Sequence, residues 1–139
     1  EYLAIVAVLP PEPEGTLVHY IRKNEAKNIS VAYPEEMPGA ERAELRYKVL
    51  GSSDRYHLLH IQLLTGRHHQ IRAQLAAIGS PIRGDVKYGF KRANKDRSIG
   101  LHAWKLAFEH PQSGEVMSVT APVPEEVVWG TFAEVLAGV

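Results

Sequence analysis

Alternating apolar and polar positions dominate the first half of the chain and predict β-strands. Residues 43–50 place Leu45, Tyr47 and Val49 on one face of a strand. Residues 55–64 follow after a polar turn, with the spacing of a β-hairpin. Residues 16–23 are ambiguous, because their apolar positions also suit one turn of helix. The other predicted strands are residues 2–9, 29–33, 99–109 and 115–120.

The periodicity changes to that of a helix after residue 65. Ile71, Leu75 and Ile78 share one helical face. Thr65 is a suitable N-cap, and Gly79 is a suitable helix end. The pattern therefore predicts a helix over residues 66–78.

A terminal helix is predicted over residues 125–136, and its packing face comprises Val128, Phe132, Val135 and Leu136. Strands with interposed helices indicate an α+β fold: a mostly antiparallel mixed sheet with flanking helices.

Composition narrows the class of protein. The chain has 139 residues, of which 45% are hydrophobic, so intrinsic disorder is excluded and one domain or one lobe fits the length. It contains no cysteine, which excludes disulfides and thiolate metal sites and suits a cytoplasmic location. No apolar run approaches the roughly 20 residues of a membrane span, so no membrane partner is expected.

Charge is neutral overall but unevenly distributed. Residues 67–97 carry eight Lys or Arg against Asp85 and Asp96, a net charge of +6, while the flanking segments are acidic. Such a block is typical of a site that attracts phosphate, although a solvated basic loop explains it equally well.

Two apparent motifs do not predict chemistry. Adjacent helical residues diverge by about 100°, so His68 and His69 should make a poor metal pair, and no metal site is predicted. Residues 79–85 imitate the glycine spacing of a phosphate loop, but Asp85 stands where lysine is needed.

Arg67 and Arg72 remain as candidates. Arg67 falls in the first turn of the predicted helix, where a cation opposes the helix dipole unless an anion docks there. Arg72 adjoins the apolar face, and its spacing favours a structural ion pair, perhaps with Asp85. By composition, Tyr2 is a core or edge tyrosine.

These residues resemble a known family, the RluA-like pseudouridine synthases. The resemblance is carried by TGRHHQIR at 65–72, GxPIxGDxKYG at 79–89, LHA at 101–103 and HP at 110–111, and it extends from Tyr2 to about Pro124. It implies part of the pseudouridine synthase fold and isomerisation of uridine to pseudouridine in structured ribosomal or transfer RNA, without metal or organic cofactor. A complete enzyme of this kind is expected to be monomeric.

The resemblance also implies roles for individual residues. Tyr2 would be catalytic, stacking on the target base and helping to move its C5 proton, and Arg72 would pair with the nucleophilic aspartate. Leu101 would lie near the base pocket, with core packing as the alternative. The RNA-binding residues would be Arg67, His68, Lys87, Lys91 and Arg92.

One family feature has no match. The nucleophilic Asp stands in a His-Arg-Leu-Asp context, and Asp54, Asp85 and Asp96 all lack it. We therefore expect residues 1–139 to be the C-terminal part of a catalytic domain, inactive alone, with the nucleophile upstream of Glu1. The alternatives are a non-catalytic RNA-binding module of the same fold and a structural domain without an RNA partner.

Overall fold

A six-stranded sheet forms the body of the protein in the computed structural model, which describes residues 1–138, one residue short of the predicted 1–139 unit. Its strand order is β3-β2-β4-β5-β1-β6, and β7 and β8 form a separate hairpin. All strand pairings within residues 1–138 are antiparallel. The strands are β1 Tyr2–Val6, β2 Glu14–Asn24, β3 Ile29–Tyr33, β4 Glu41–Ser52, β5 His57–Leu63, β6 Leu101–Ala103, β7 Lys105–Glu109 and β8 Val116–Thr120.

Among residues 1–138, three α-helices accompany these strands: α1 Gln70–Ala77, α2 Val127–Thr131 and α3 Ala133–Ala137. A single turn of 3₁₀ helix lies at Val86–Tyr88. The predicted α+β class is confirmed. Within the described part of the chain, no helix is long and apolar enough to cross a membrane.

The sequence located most strands and misjudged some ends. The ambiguous residues 16–23 lie in β2, where they pair with β4. The first strand ends at Val6 and not at Leu9, because Val6 faces His57, the first residue of β5, and the ladder stops there. The predicted strand 99–109 is divided at Trp104, whose backbone N–H donates to the Glu1 carbonyl, so that β6 and β7 join different sheets.

The sheet buries apolar side chains on both faces. On the α1 face, Leu45, Tyr47 and the partly buried Val49 pack with Ile71 and Leu75, as their spacing predicted. The other face carries a cluster containing Trp104, Trp129 and Phe132, with Val128, Val135 and Leu136 packed against it. Strand β1 contributes to both clusters and is buried throughout except at Tyr2.

The terminal helix is two short helices. Phe132 ends α2 and precedes α3, and its side chain is almost wholly buried. Gly130 and Thr131 are weak helix formers, so packing of Phe132 overrides the continuous helix predicted over 125–136.

Candidate active site

Helix α1 begins four residues later than the pattern predicted. Gln70, not Gly66, is its first residue, and His69 precedes it in the left-handed conformation at φ 52°. The Gln70 side-chain oxygen accepts hydrogen bonds from the Thr65 hydroxyl and from the Arg67 backbone N–H. This buried amide therefore holds residues 65–69 as a turn, and Thr65 is not the N-cap.

Arg67 consequently lies outside the helix, and the argument that its charge opposes the helix dipole is wrong. Its Nε donates to the Arg42 carbonyl at 2.9 Å, and its guanidinium forms an ion pair with Glu41 at 2.8 Å. The side chain is partly exposed, so an RNA-binding role for Arg67 remains a prediction.

Arg72 has a carboxylate partner within the chain. Its Nε donates to one Asp85 oxygen at 2.9 Å, and its Nη2 donates to the other at 2.8 Å. Asp85 is 1% exposed, and its hydrogen bond raises the pKa of Arg72. The ion pair with Asp85 that spacing favoured is confirmed, and the pairing of Arg72 with a nucleophilic aspartate stays a prediction.

His69 and Tyr88 enclose this ion pair. Arg72 Nη1 lies 3.3 Å from His69 Nε2, and the guanidinium lies 4.7 Å from the centre of the Tyr88 ring. A guanidinium can only donate, so Nε2 must accept and Nδ1 carries the proton. That Nδ1–H then points at the Tyr88 oxygen, 2.7 Å away.

Burial, and then the charge of Arg72, lower the pKa of His69 from 6.5 to about 4. A protonated imidazole would oppose an N–H of Arg72 with one of its own. His69 is therefore neutral at physiological pH, in a single tautomer fixed by its two neighbours.

The network continues to the edge strand β3. The Ser30 N–H donates to the Tyr88 oxygen at 2.9 Å, and the Ser30 hydroxyl lies 2.8 Å from His68 Nδ1. The His68 and His69 rings are stacked with centroids 3.8 Å apart. They point the same way because neither belongs to a helix, so the divergence predicted from helical geometry is wrong. Burial lowers the pKa of His68 also.

Tyr2 lies elsewhere on the same face of the sheet. It pairs with Ile61 of β5 and with Ala103 of β6, while the neighbouring Ala4 pairs with Leu101. Tyr2 and Leu101 are thus diagonal neighbours on one face, a spacing of about 7–8 Å between backbones. Both are partly buried against the cluster that contains Ile71. Within residues 1–138, the hydrogen bonds and ring contacts of Arg72 are with Asp85, His69 and Tyr88, and not with Tyr2.

The remaining candidates lie in the loop after Asp85. Lys87, Lys91 and Arg92 are exposed. Gly84 anchors this loop: its φ is +83°, and a Cβ there would lie 2.6 Å from the Asn94 amide and 2.9 Å from the Ser98 carbonyl. Gly84 therefore holds the start of the loop in place. The cations of the loop, Lys87, Lys91 and Arg92, face solvent.

Tyr88, Ser30 and Gln70 were not recognised as site residues. Tyr88 could have been found, since it stands at a fixed distance from Asp85 within the GDxKYG string. Ser30 had no signal, because its partners Tyr88 and His68 are distant in sequence. Gln70 has local partners in Thr65 and Arg67, and its spacing to them was not read as a signal. No group of three or more potential metal ligands occurs among residues that the structure describes.

Comparison with known proteins identifies the family. A family model described as RNA pseudouridylate synthase matches residues 1–77. An uncharacterized RNA pseudouridine synthase of Chloroflexus aurantiacus is 38% identical over 127 residues, covering 91% of this chain and 39% of that protein. The uncharacterized RNA pseudouridine synthase YlyB of Bacillus subtilis is 33% identical over 127 residues, covering 91% and 41%.

Ribosomal large subunit pseudouridine synthase D of Nitrosomonas europaea is 39% identical over 95 residues, covering 61% of this chain and 27% of that protein. The chain belongs to the RNA pseudouridylate synthase family, and the RluA-like resemblance is confirmed. It spans about two fifths of the length of the first two relatives.

Solved structures agree with this assignment. Human RNA pseudouridylate synthase domain containing 1 superposes with a TM-score of 0.69 at 27% identity, covering 88% of this chain and 54% of that one. Human RNA pseudouridylate synthase domain containing 4 gives 0.68 at 22% identity, covering 98% and 60%, and supports the fold alone.

Proposed function

We propose that this chain is the Arg72- and Tyr2-bearing part of an enzyme that isomerises uridine to pseudouridine in RNA. The family match over residues 1–77 carries the proposal, because the matched segment contains both residues. In this reaction the N1–C1′ bond breaks, the base turns, a C5–C1′ bond forms, C5 loses a proton and N1 gains one. Atoms and electrons balance without an oxidant or reductant, so the reaction needs no redox cofactor, and no metal or organic cofactor is part of the proposal.

The nucleophilic carboxylate is proposed to lie outside these 139 residues. Asp54 is exposed in the turn before β5. This turn lies near Val6, at the other end of β1 from Tyr2. Asp96 is exposed in a loop, and Asp85 is buried against Arg72. None of the three combines ionisation, exposure and proximity to Tyr2, as a nucleophile attacking a flipped nucleotide requires.

Arg72 can hold a second carboxylate while it keeps Asp85. Of its five N–H donors, two bond Asp85 and one faces His69, which leaves two. Its side chain is 20% exposed. We infer that the nucleophile shares this guanidinium with Asp85, which keeps it ionised in a partly dry pocket.

The other roles follow from position. Tyr2 would stack on the extruded base, and Leu101, its diagonal neighbour, would line the same pocket. His68 would contribute a neutral ring beside Arg67, and Lys87, Lys91 and Arg92 would bind phosphates from the loop that follows Asp85. The proposed substrate is structured RNA, ribosomal or transfer, and the proposed setting is the cytoplasm, with the complete enzyme a monomer.

The test follows tritium from uridine C5. Isomerisation replaces the C5–H bond by C5–C1′, so RNA labelled with tritium at C5 must release it to water. The complete gene product should release tritium, and residues 1–139 alone should not. Release by residues 1–139 alone would overturn the proposed place of the nucleophile.

A non-catalytic RNA-binding module is the second candidate, favoured by the lack of a suitable aspartate beside Tyr2. It predicts RNA binding with no tritium release from any form of the protein. A structural domain predicts neither. Affinity for RNA that falls steeply with salt would exclude the structural domain.

A further inference from the structure

A second surface with features of an RNA-binding site lies at the far end of β1 from Tyr2. Two adjoining cavities of about 590 and 610 Å³ share three residues: Tyr56, Phe90 and Arg92. Arg55, Lys91 and Arg83 complete the lining used here, and we call this surface the Tyr56 groove. Tyr56 immediately precedes β5, whose first residue faces Val6.

The groove is strongly cationic. Arg55, Lys91 and Arg92 are exposed, and Lys95 lines the adjoining wall. Glu126 forms an ion pair with Arg83 at 2.8 Å, and Asp96, which accepts hydrogen bonds from Ser98, is one negative charge against the four exposed cations. The cations that remain attract a polyanion rather than a neutral ligand.

Two aromatic rings lie among these cations. Phe90 is partly buried yet belongs to none of the three apolar clusters, so its ring is not committed to a core. The Arg83 guanidinium lies 5.3 Å from the centre of the Tyr56 ring. Aromatic rings interleaved with cations are how proteins bind single-stranded nucleic acid, with bases stacked and phosphates paired.

The groove is fastened to the strand that carries Tyr2. The backbone N–H of Arg83 donates to the Ile5 carbonyl, and the backbone N–H of Gly100 donates to the Arg83 carbonyl. The five residues of β1 span about 17 Å at most, a distance that a few nucleotides of a single strand can bridge. One RNA strand can therefore occupy both sites.

We propose that the Tyr56 groove binds a single-stranded segment of the substrate RNA several nucleotides from the target uridine, with Phe90 stacking on a base and Arg55, Lys91 and Arg92 pairing with phosphates. This inference rests on the proposed function. It adds a nucleotide-binding subsite to the site of chemistry.

The experiment measures binding of fluorescein-labelled single-stranded oligouridylate to this chain by fluorescence anisotropy over a salt series. Phe90→Leu keeps apolar volume and loses the ring, so the Kd should rise about fivefold or more with the salt slope unchanged. Phe90→Trp should restore binding. Arg92→Ala should reduce the magnitude of the salt slope by about 0.7, the value for one phosphate on a single strand.

Two further variants complete the set: Lys27→Ala is a control, and Glu126→Gln tests the charge of the groove. Lys27→Ala removes an exposed cation from the turn between β2 and β3, outside the groove, and should leave the Kd unchanged. Glu126→Gln removes the charge that engages Arg83 and should tighten binding. Urea unfolding of each variant verifies that the fold is intact.

Wild-type affinity in Phe90→Leu would overturn the proposal, as would equal losses from Lys27→Ala and Arg92→Ala, which would indicate diffuse attraction. The proposal would also be overturned if heparin displaced the RNA equally well from the wild type and from Phe90→Leu. Tritium release by the complete enzyme tests the proposed function separately. If release occurs while Phe90→Leu binds normally, only the groove proposal fails.

Discussion

Arg72 and Asp85 are joined by two parallel hydrogen bonds of 2.9 and 2.8 Å, with the carboxylate 1% exposed and the guanidinium 20% exposed. The pair links helix α1 to the start of the basic loop. A buried carboxylate depends on its partner, since an unpaired charge is costly away from water.

Arg72→Met should lower the free energy of unfolding by about 3 kcal/mol, because it leaves Asp85 buried and unpaired. The double variant Arg72→Met/Asp85→Leu should recover most of that loss. Urea denaturation measures both. Arg42→Met breaks the exposed pair with Glu44 and should cost no more than about 1 kcal/mol. Equal losses from Arg72→Met and Arg42→Met would show that burial of Asp85 does not matter.

Arg72→Lys tests catalysis in the complete enzyme. Lysine keeps the charge but cannot hold two carboxylates in fixed geometry, so turnover should fall by about 100-fold. The Kd for RNA should change little. Tritium release and fluorescence anisotropy give the two quantities, with Arg42→Lys as the control. Turnover close to wild type would refute the role proposed for Arg72.

Tyr2→Phe separates stacking from proton movement. The ring remains, so RNA affinity should be preserved, whereas loss of the hydroxyl should slow release of the C5 proton. Single-turnover tritium release in the complete enzyme measures the effect. Tyr2→Leu, which removes the ring as well, should weaken both. Undiminished product formation by Tyr2→Phe would show that the hydroxyl is dispensable.

His69→Asn should flatten the dependence of stability on pH. The pKa of His69 is about 4 in the folded chain, below its usual 6.5, so the unfolded chain binds the proton more readily between those values. Stability contributed by neutral His69 is therefore full above pH 6.5 and lost as pH falls towards 4. Asparagine tolerates the left-handed backbone at this position and does not titrate.

Urea denaturation between pH 4 and 7 measures that dependence. Burial also lowers the pKa of His19 and His68, so the wild-type slope includes all three histidines. The difference between His69→Asn and wild type isolates His69, and His57→Asn controls for the substitution itself. Parallel curves for His69→Asn and wild type would contradict the assigned neutral state.

Gly84→Ala should destabilise the protein more than Gly79→Ala. The two glycines have φ of +83° and +82°, but only at Gly84 would a Cβ meet other atoms, Asn94 and Ser98. Backbone strain costs about 1–3 kcal/mol at either position, and the collision adds to it only at Gly84. Thermal unfolding compares the two. Similar melting temperatures would mean that the loop shifts freely.

Local periodicity located most strands of the sheet but did not predict the arrangement of the site. Leu45, Tyr47 and Val49 lie on one face as alternation predicted, because burial on a pleated strand follows period two. The start of α1 was missed because the Gln70 side chain decides it: its oxygen accepts from Thr65 and Arg67, and its nitrogen donates to the distant Glu44 carbonyl. No propensity scale contains that contact.

The histidine pair shows the same limit. His68 and His69 were assigned diverging directions from helical geometry, but the left-handed backbone of His69 stacks the two rings. Asp85 was the opposite case. Spacing alone predicted its pairing with Arg72, whereas the family resemblance implied a different carboxylate as the partner of Arg72.

The position of β1 between β5 and β6 also bears on the order of folding. Its partners are residues 57–61 and 101–103, far along the chain, whereas β2 with β3 and β4 with β5 are joined by short turns. Loop closure favours contacts between residues that are near in sequence, so we expect those hairpins to form early and β1 to dock late. The strand that carries Tyr2 would then enter a sheet that its neighbours have already begun, and the proposed base pocket would be completed among the last steps of folding.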